Sequence, residues 1–207
     1  PVPEIVAVLD VAFHRSFSAV VPSGRRFVVA IDVSGSMGCT TVLGSPCITP
    51  RIAAAALALQ LLRTEPRAVP VAFDSEIVPL KLHKSMSLTE AIQAMEGLPF
   101  GRTYCDKPML WAMMNKVAAD VFVVITDCET LGDPAEALRE YRRVSCIPAR
   151  LAVISMTAGG STLADPDDAG MMDMTGFDAS GPEILRQFAV GQLLSLIHIS
   201  EPTRPRS

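Results

Sequence analysis

At 207 residues the chain is long enough to bury one substantial core, as one domain or one and a half. Hydrophobic residues make up 49% of it and charged residues 19%, which excludes a disordered or low-complexity chain. The formal net charge of −4 argues against a self-sufficient nucleic-acid platform, which would carry a basic stripe.

In chain order, residues 3–18 place Ile5, Leu9 and Phe13 at four-residue spacing with Ala12 and Phe17 alongside, the pattern of an amphipathic helix. "RFVVAIDV" (26–33) then reads as a strand covered on both faces. A loop rich in Gly, Ser, Thr and Pro runs from Gly35 to Pro50, before an alanine-rich helix from Arg51 to about Arg63. "AVPVAFD" is a second strand, and "EIVPLKL" a hairpin partner or edge strand carrying Pro79. Ser87 with Glu90 three residues on has the form of a capping box opening "SLTEAIQAMEGL". The loop "PFGRTYCD" leads to a helix at "KPMLWAMMNKV" with Pro108 in its first turn. "DVFVVITD" is a third buried strand, and "DPAEALREYRRV" a helix with Asp133 as cap and Pro134 at its first position. "ARLAVISM" is a fourth strand, followed by the loop "TAGGSTLADPDDAG" and a short apolar piece, "MMDMTGF". A helix from about Pro182 to Val190 closes the fold. Strands alternating with helices specify an α/β architecture with a doubly wound, mostly parallel sheet.

The last residues, "SLIHISEPTRPRS", break the periodicity and resemble a translated sequencing-adapter read-through, so residues 193–207 are expected to be a non-native tail. The abrupt start without methionine has the look of a fragment. Five cysteines without C-x2-C spacing, and only three histidines, make a structural zinc site unexpected. Scattered thiols without a signal peptide fit a reducing cytoplasmic or nuclear setting. The longest apolar helix, "IAAAALALQLL", is too short to span a bilayer, so no membrane attachment is expected.

In a parallel sheet ligands bind outside the carboxyl ends of the strands. Asp32 ends the first strand and Asp127 the third. Ser34 and Ser36 lie on the loop leaving the first strand, and Thr103 on a loop entering a helix. Two carboxylates and three hydroxyls can therefore converge at one edge. Such oxygens suit a hard divalent cation, Mg²⁺ above all, with Mn²⁺ or Ca²⁺ as alternatives. With so few acids the ion would stay net positive and open to water or to a partner's carboxylate. The competing role for Asp32 and the serines is to cap a turn.

"DVSGSM", Thr103 and "ITDCE" resemble the metal-ion-dependent adhesion site of von Willebrand factor A domains, in which D-x-S-x-S, Thr and Asp hold the ion. "RTEPRAVPVAFDSEIVPL", "IPARLAVISM" and especially "ADPDDAGMMDMTGFD" are similar to the C-terminal domain of the Ro ribonucleoprotein autoantigen family, over about residues 4–190. The resemblance implies a non-enzymatic domain that carries the metal site and closes a ring of helical repeats, the TROVE module. That ring binds misfolded small RNAs and Y RNAs, so small non-coding RNA would be engaged through a part absent from this chain. Residues 1–22 would be the helix linking to the ring and 23–192 the von Willebrand factor A-like domain, in a monomeric protein. Where the family reads Gly-Gly-Thr-Asp this chain reads "GRTYC", with Arg102 and Tyr104 as departures, and Cys128 is a third.

Other readings fit less well. "SGSMG" is one glycine short of a nucleophile elbow around Ser36, and His83 precedes the acid Asp127 while His198 lies in the tail. A dehalogenase-type phosphatase needs a second aspartate where Ser34 stands. Counted from Asp165, the twelfth position of an EF-hand is Gly176 rather than glutamate. Asp165, Asp167 and Asp168 read as turn and cap residues, Met109, Met113, Met114 and Trp111 as packing, His14 and His83 as surface or satisfied histidines, and the Arg25-Arg26 and Arg142-Arg143 pairs as solvated faces. Glu129 is a candidate to orient a metal-bound water.

Overall fold

The computed structural model describes residues 3–17, 20–42, 45–78, 80–96, 98, 101–127, 131–157, 162–176 and 180–193. Six strands form one sheet: β1 (Phe27–Asp32), β2 (Ala68–Phe73), β3 (Ile77–Val78), β4 (Val121–Thr126), β5 (Arg150–Ser155) and β6 (Met171–Thr175). Their spatial order is β3-β2-β1-β4-β5-β6, parallel throughout except for the antiparallel β2–β3 pair. The helices are α1 (Pro3–Ser16), α2 (Pro50–Thr64), α3 (Leu88–Met95), α4 (Lys107–Met114), α5 (Pro134–Ser145) and α6 (Gly181–Val190). This is the mostly parallel, doubly wound α/β fold that the alternation of elements specifies.

β1 and β4 are buried at every position because they lie side by side at the centre with helices on both faces. Phe27, Val29 and Ile31 face a core built with α2, α3 and α6, whereas Val28 and Ala30 face one built with α4 and α5. Pro70 is tolerated within β2 because β3 pairs only with Ala72 and Phe73, leaving that stretch with a partner on one side. The helix starts follow their sequence signals. Thr49 caps α2 through Ile52 N, Ser87 and Glu90 form a full capping box on α3, and Asp133 accepts from Glu136 N at the head of α5.

Four readings need correction. "MMDMT" is a sixth strand, parallel to β5, rather than an apolar piece of connection. It escaped notice because methionine is a weak strand signal and Asp173 interrupts the run. That acid accepts from Ala164 N at 3.1 Å and so fastens the preceding loop. The long loop after β1 contains a single 3-10 turn, Gly35–Gly38, anchored by fully buried Met37. Met114 is exposed, while Met109 is the member of its cluster that fills the core. Finally, the arginine pairs are only half solvated. Arg26 chelates Asp120, Arg142 pairs with Asp168, and Arg143 alone of the second pair is a surface residue, bound to Glu140.

The "ADPDD" run does form turns, with Asp167 N donating to Asp165 Oδ1 and Gly170 N to Asp168 Oδ1. Asp165 and Asp168 also reach across to Arg139 and Arg142 on α5, which staples this loop to the helix. His83 is exposed, and the four described cysteines, Cys39, Cys47, Cys105 and Cys146, are unbridged. Among the described residues no helix is long and apolar enough to cross a membrane. Cys128, Glu129, Pro79, the His14 side chain and residues 194–207, which include most of the expected tail, lie outside the described residues.

Candidate metal centre

The order β3-β2-β1-β4-β5-β6 reverses direction between β1 and β4, so the crevice at their carboxyl ends is the switch point of the sheet. Asp32 and Asp127 stand on either side of it. Both are buried, Asp32 completely and Asp127 to 3% exposure.

Asp32 is held in place by its neighbours. Thr126 Oγ1 donates to its Oδ2 at 2.7 Å and Ser34 N to its Oδ1 at 2.8 Å. Thr103 Oγ1 reaches Oδ1 at 3.5 Å, too long for a strong bond. Burial pushes the Asp32 carboxyl above the usual carboxylate range, the nearby negative charge of Asp127 pushes it further, and the bonds from Thr126 and Ser34 oppose the rise. A buried acid beside a second buried acid is costly in the ionised form unless a cation accompanies the pair.

The serines separate the two roles open to them. Ser34 is the residue before the 3-10 turn, yet its side chain makes no capping bond. Its Oγ lies instead 3.1 Å from Ser36 Oγ, so two hydroxyls face one another beside the carboxylate. The turn-capping role falls to the Asp32 carboxylate, through Ser34 N, and the hydroxyls are spared from it.

Thr103 is positioned by its backbone. Leu131 N donates to Thr103 O at 2.8 Å and Tyr104 N to Asp74 O at 3.0 Å, which clamps the segment between the end of β2 and the chain after β4. Thr103 is buried, while Arg102 beside it is exposed and Tyr104 half-buried beneath the Lys107 ammonium, 5.7 Å from the ring centre. The two departures from the family loop thus leave Thr103 at the cluster.

All five expected residues, Asp32, Ser34, Ser36, Thr103 and Asp127, therefore lie at one edge. Direct contacts join the first four, and the electrostatic effect on Asp32 joins the fifth. Among the described residues no group of three or more His, Cys, Asp or Glu side chains could hold a metal. The donors here are two carboxylates and three hydroxyls, which fits a hard cation that keeps part of its water shell and does not fit zinc.

Two residues escaped the sequence reading. Thr126 is the direct partner of Asp32, and its signal was a polar residue closing the otherwise apolar run "VFVVI". Asp74 is a third buried acid at this edge, after β2. It accepts from Glu76 N at 2.9 Å and packs against Gly101, where an added Cβ would meet its Oδ2 at 3.3 Å.

The fold has counterparts among known proteins. The family model described as the Ro60 vWA domain matches residues 26–189. The chain is 40% identical over 196 residues to the RNA-binding protein RO60 of Deinococcus radiodurans, covering 93% of this chain and 37% of that protein. It is 36% identical over 197 residues to the RNA-binding protein RO60 of Caenorhabditis elegans, covering 93% of this chain and 30% of that one. The crystal structure of the Deinococcus radiodurans RO (RSR) protein superposes with a TM-score of 0.85 at 40% identity, over 93% of this chain and 39% of that chain. The chain thus spans well under half the length of these relatives. With a switch-point oxygen cluster on a sheet of this order, and a family match across nearly the whole folded region, the chain belongs to the Ro60 von Willebrand factor A domain family.

Proposed function

We propose that this domain binds a divalent cation, Mg²⁺ foremost, through Asp32, Ser34, Ser36, Thr103 and Asp127, and that it serves as the metal-carrying part of an RNA-binding Ro-type protein. The observation that carries the metal reading is the completely buried Asp32 carboxylate beside Asp127, with a pair of facing serine hydroxyls not engaged in capping. A bound cation would offset two buried negative charges and leave positions open for water or for an acid from a partner. The domain does no covalent chemistry of its own in this reading.

The RNA role is supported by the printed names of the relatives, each of which is an RNA-binding protein of which this chain covers one part. Small non-coding RNAs, Y RNAs and misfolded RNAs among them, would be bound chiefly by the portion of the protein that this chain does not span, in a cytoplasmic setting. The second reading is a metal-dependent protein-interaction module without an RNA role. It is favoured by the same open site, which suits a partner's carboxylate. A pull-down from cells with the full-length protein separates the two. Retention of small structured RNA supports the first, and recovery of protein alone, lost on chelation, supports the second.

Thermal unfolding of the chain across a Mg²⁺ and Mn²⁺ titration tests the metal site. A ligand at about a hundred times its Kd stabilises the native state by about 2.7 kcal/mol. For a domain of this size that raises Tm by roughly 5–10 °C. Asp32→Ala should abolish the gain. Equal response of wild type and variant would overturn the assignment.

A further inference from the structure

The opposite edge of the sheet, where the parallel strands begin, carries a second constellation of different charge. An open cavity of about 540 Å3 lies there between the starts of β5 and β6 and the end of α6, with Arg142, Arg150, Asp168, Gly170, Phe188 and Gly191 among its walls. The fold makes room in it for two guanidinium groups. At Gly170 an added Cβ would collide with Arg142 Nη2, and at Gly191 one would lie 2.9 Å from Arg150 Nη2. Gly191 is also left-handed, at φ +79°, so it meets both demands at once.

The two arginines are bound very differently. Arg142 is fully engaged, with Nε donating to Ala149 O at 2.7 Å and the two terminal nitrogens to the Asp168 carboxylate. Arg150 has no salt bridge among the described residues. Its guanidinium stands 5.5 Å from the centre of the Phe188 ring and makes one long contact, 3.4 Å, from Nη1 to Ala169 O. Burial, together with the like charges of Arg25 and Arg142, holds its pKa below the ordinary arginine value against the opposing charge of Asp168. A half-buried cation stacked on an aromatic ring, beside two further cations and with the nearby Asp168 already bound by Arg142, is an arrangement that an incoming anion relieves.

We propose that this pocket is an anion site that receives a phosphate group of an RNA strand, with Arg150 as the recognising cation. Arg142, paired with Asp168, forms a fixed polar wall, and the half-buried Met172 gives an apolar side for the attached nucleoside. The phosphate chemistry follows from the pocket itself. The choice of RNA as its source rests on the RNA-binding reading above. The site lies at the far edge from Asp32, so it is independent of the metal.

The test uses the 207-residue chain. Inorganic phosphate is titrated while the arginine side-chain Nε–H resonances and the Gly170 and Gly191 amides are followed by NMR. A single-stranded ten-nucleotide oligouridylate is then titrated by fluorescence anisotropy at several salt concentrations. Phosphate should shift Arg150 and both glycines. Arg150→Gln should weaken oligonucleotide binding about tenfold and reduce the salt slope by about one. Arg150→Lys should recover part of the affinity, and Lys84→Gln, an exposed cation outside the pocket, should leave it unchanged. No phosphate shift at Arg150 in the wild-type protein overturns the site without reliance on any variant. Equal oligonucleotide affinity in wild type and Arg150→Gln overturns the RNA assignment of the pocket while the RNA-binding reading stands. Phosphate binding at Arg150 with no oligonucleotide binding at all upholds the anion site and removes RNA as its source.

Discussion

The two edges of the sheet are built on opposite principles. Where the strands end, Asp32, Asp127 and Asp74 are buried together with serine and threonine hydroxyls, and Asp32 takes hydrogen bonds from Thr126 Oγ1 and Ser34 N. Where the strands begin, most charges are closed into pairs. Arg26 holds Asp120 through its Nε at 2.9 Å and its backbone N at 2.9 Å, and Arg142 holds Asp168. Tyr141 seals the same end, accepting from Ala119 N at 2.7 Å and donating to Val117 O at 2.8 Å. Arg150 stands outside these pairs. Parallel strands force this division, since every strand end emerges on one side and every strand start on the other. An edge rich in buried acids and hydroxyls and an edge of mostly paired charges are thereby kept a full strand length apart.

The largest expected effect would break the basic edge. Phe188 is 2% exposed and joins α6 to the core as well as backing Arg150. Phe188→Ala should cost about 3–5 kcal/mol in urea unfolding and remove phosphate binding. Because the edges are separate, the stability gained from Mg²⁺ should survive. Loss of the Mg²⁺ response as well would show that they are coupled.

A smaller perturbation sharpens the other side. Thr126→Val deletes the donor to Asp32 Oδ2 in a fully buried setting. Leaving that acceptor unsatisfied should destabilise the metal-free protein by about 1–3 kcal/mol. It should weaken the Mg²⁺ response through misplacement of Asp32, with phosphate binding unaltered. An unchanged metal response would remove Thr126 from the positioning of the site.

The smallest effect is in pH. The Arg26 guanidinium holds the Asp120 carboxyl below its ordinary value, and Arg142 does the same to Asp168. A folded-state pKa below the unfolded one adds stability above the unfolded pKa, about 3.9, and loses it as pH falls through the folded value. Both acids are partly exposed, so each pair is worth about 1 kcal/mol or less. Acid unfolding of wild type against Asp120→Asn and Asp168→Asn should show the variants with a flatter dependence below about pH 4. Identical acid profiles would mean that these pairs contribute nothing to folding.

Much of the fold was legible because local chemistry and tertiary structure agree. The buried runs around Val29 and Val123 can only be central strands, and the caps at Ser87 and Asp133 fix helix starts with short-range bonds. β6 was not legible, because an edge strand with only Met171 buried and interrupted by Asp173 has no continuous apolar signature. Similarly, the amphipathic stripe of α1 forms a helix but packs only in part. Phe13 and Phe17 meet the core, while Ile5 remains 57% exposed.

The sequence by itself determined the alternation of strands and helices and the presence of oxygen donors at two strand ends, since periodicity, capping and residue chemistry are local properties. Only the tertiary structure decided which strands became neighbours, and so set Thr126 against Asp32 and turned the serine hydroxyls toward each other. The same holds for the basic edge. Arg142 and Arg150 read alike in the chain, and only the packing of the "ADPDD" loop on α5 gave one of them an acid and left the other on an aromatic ring. Pairing of charges distant in sequence depends on topology, which no local pattern carries.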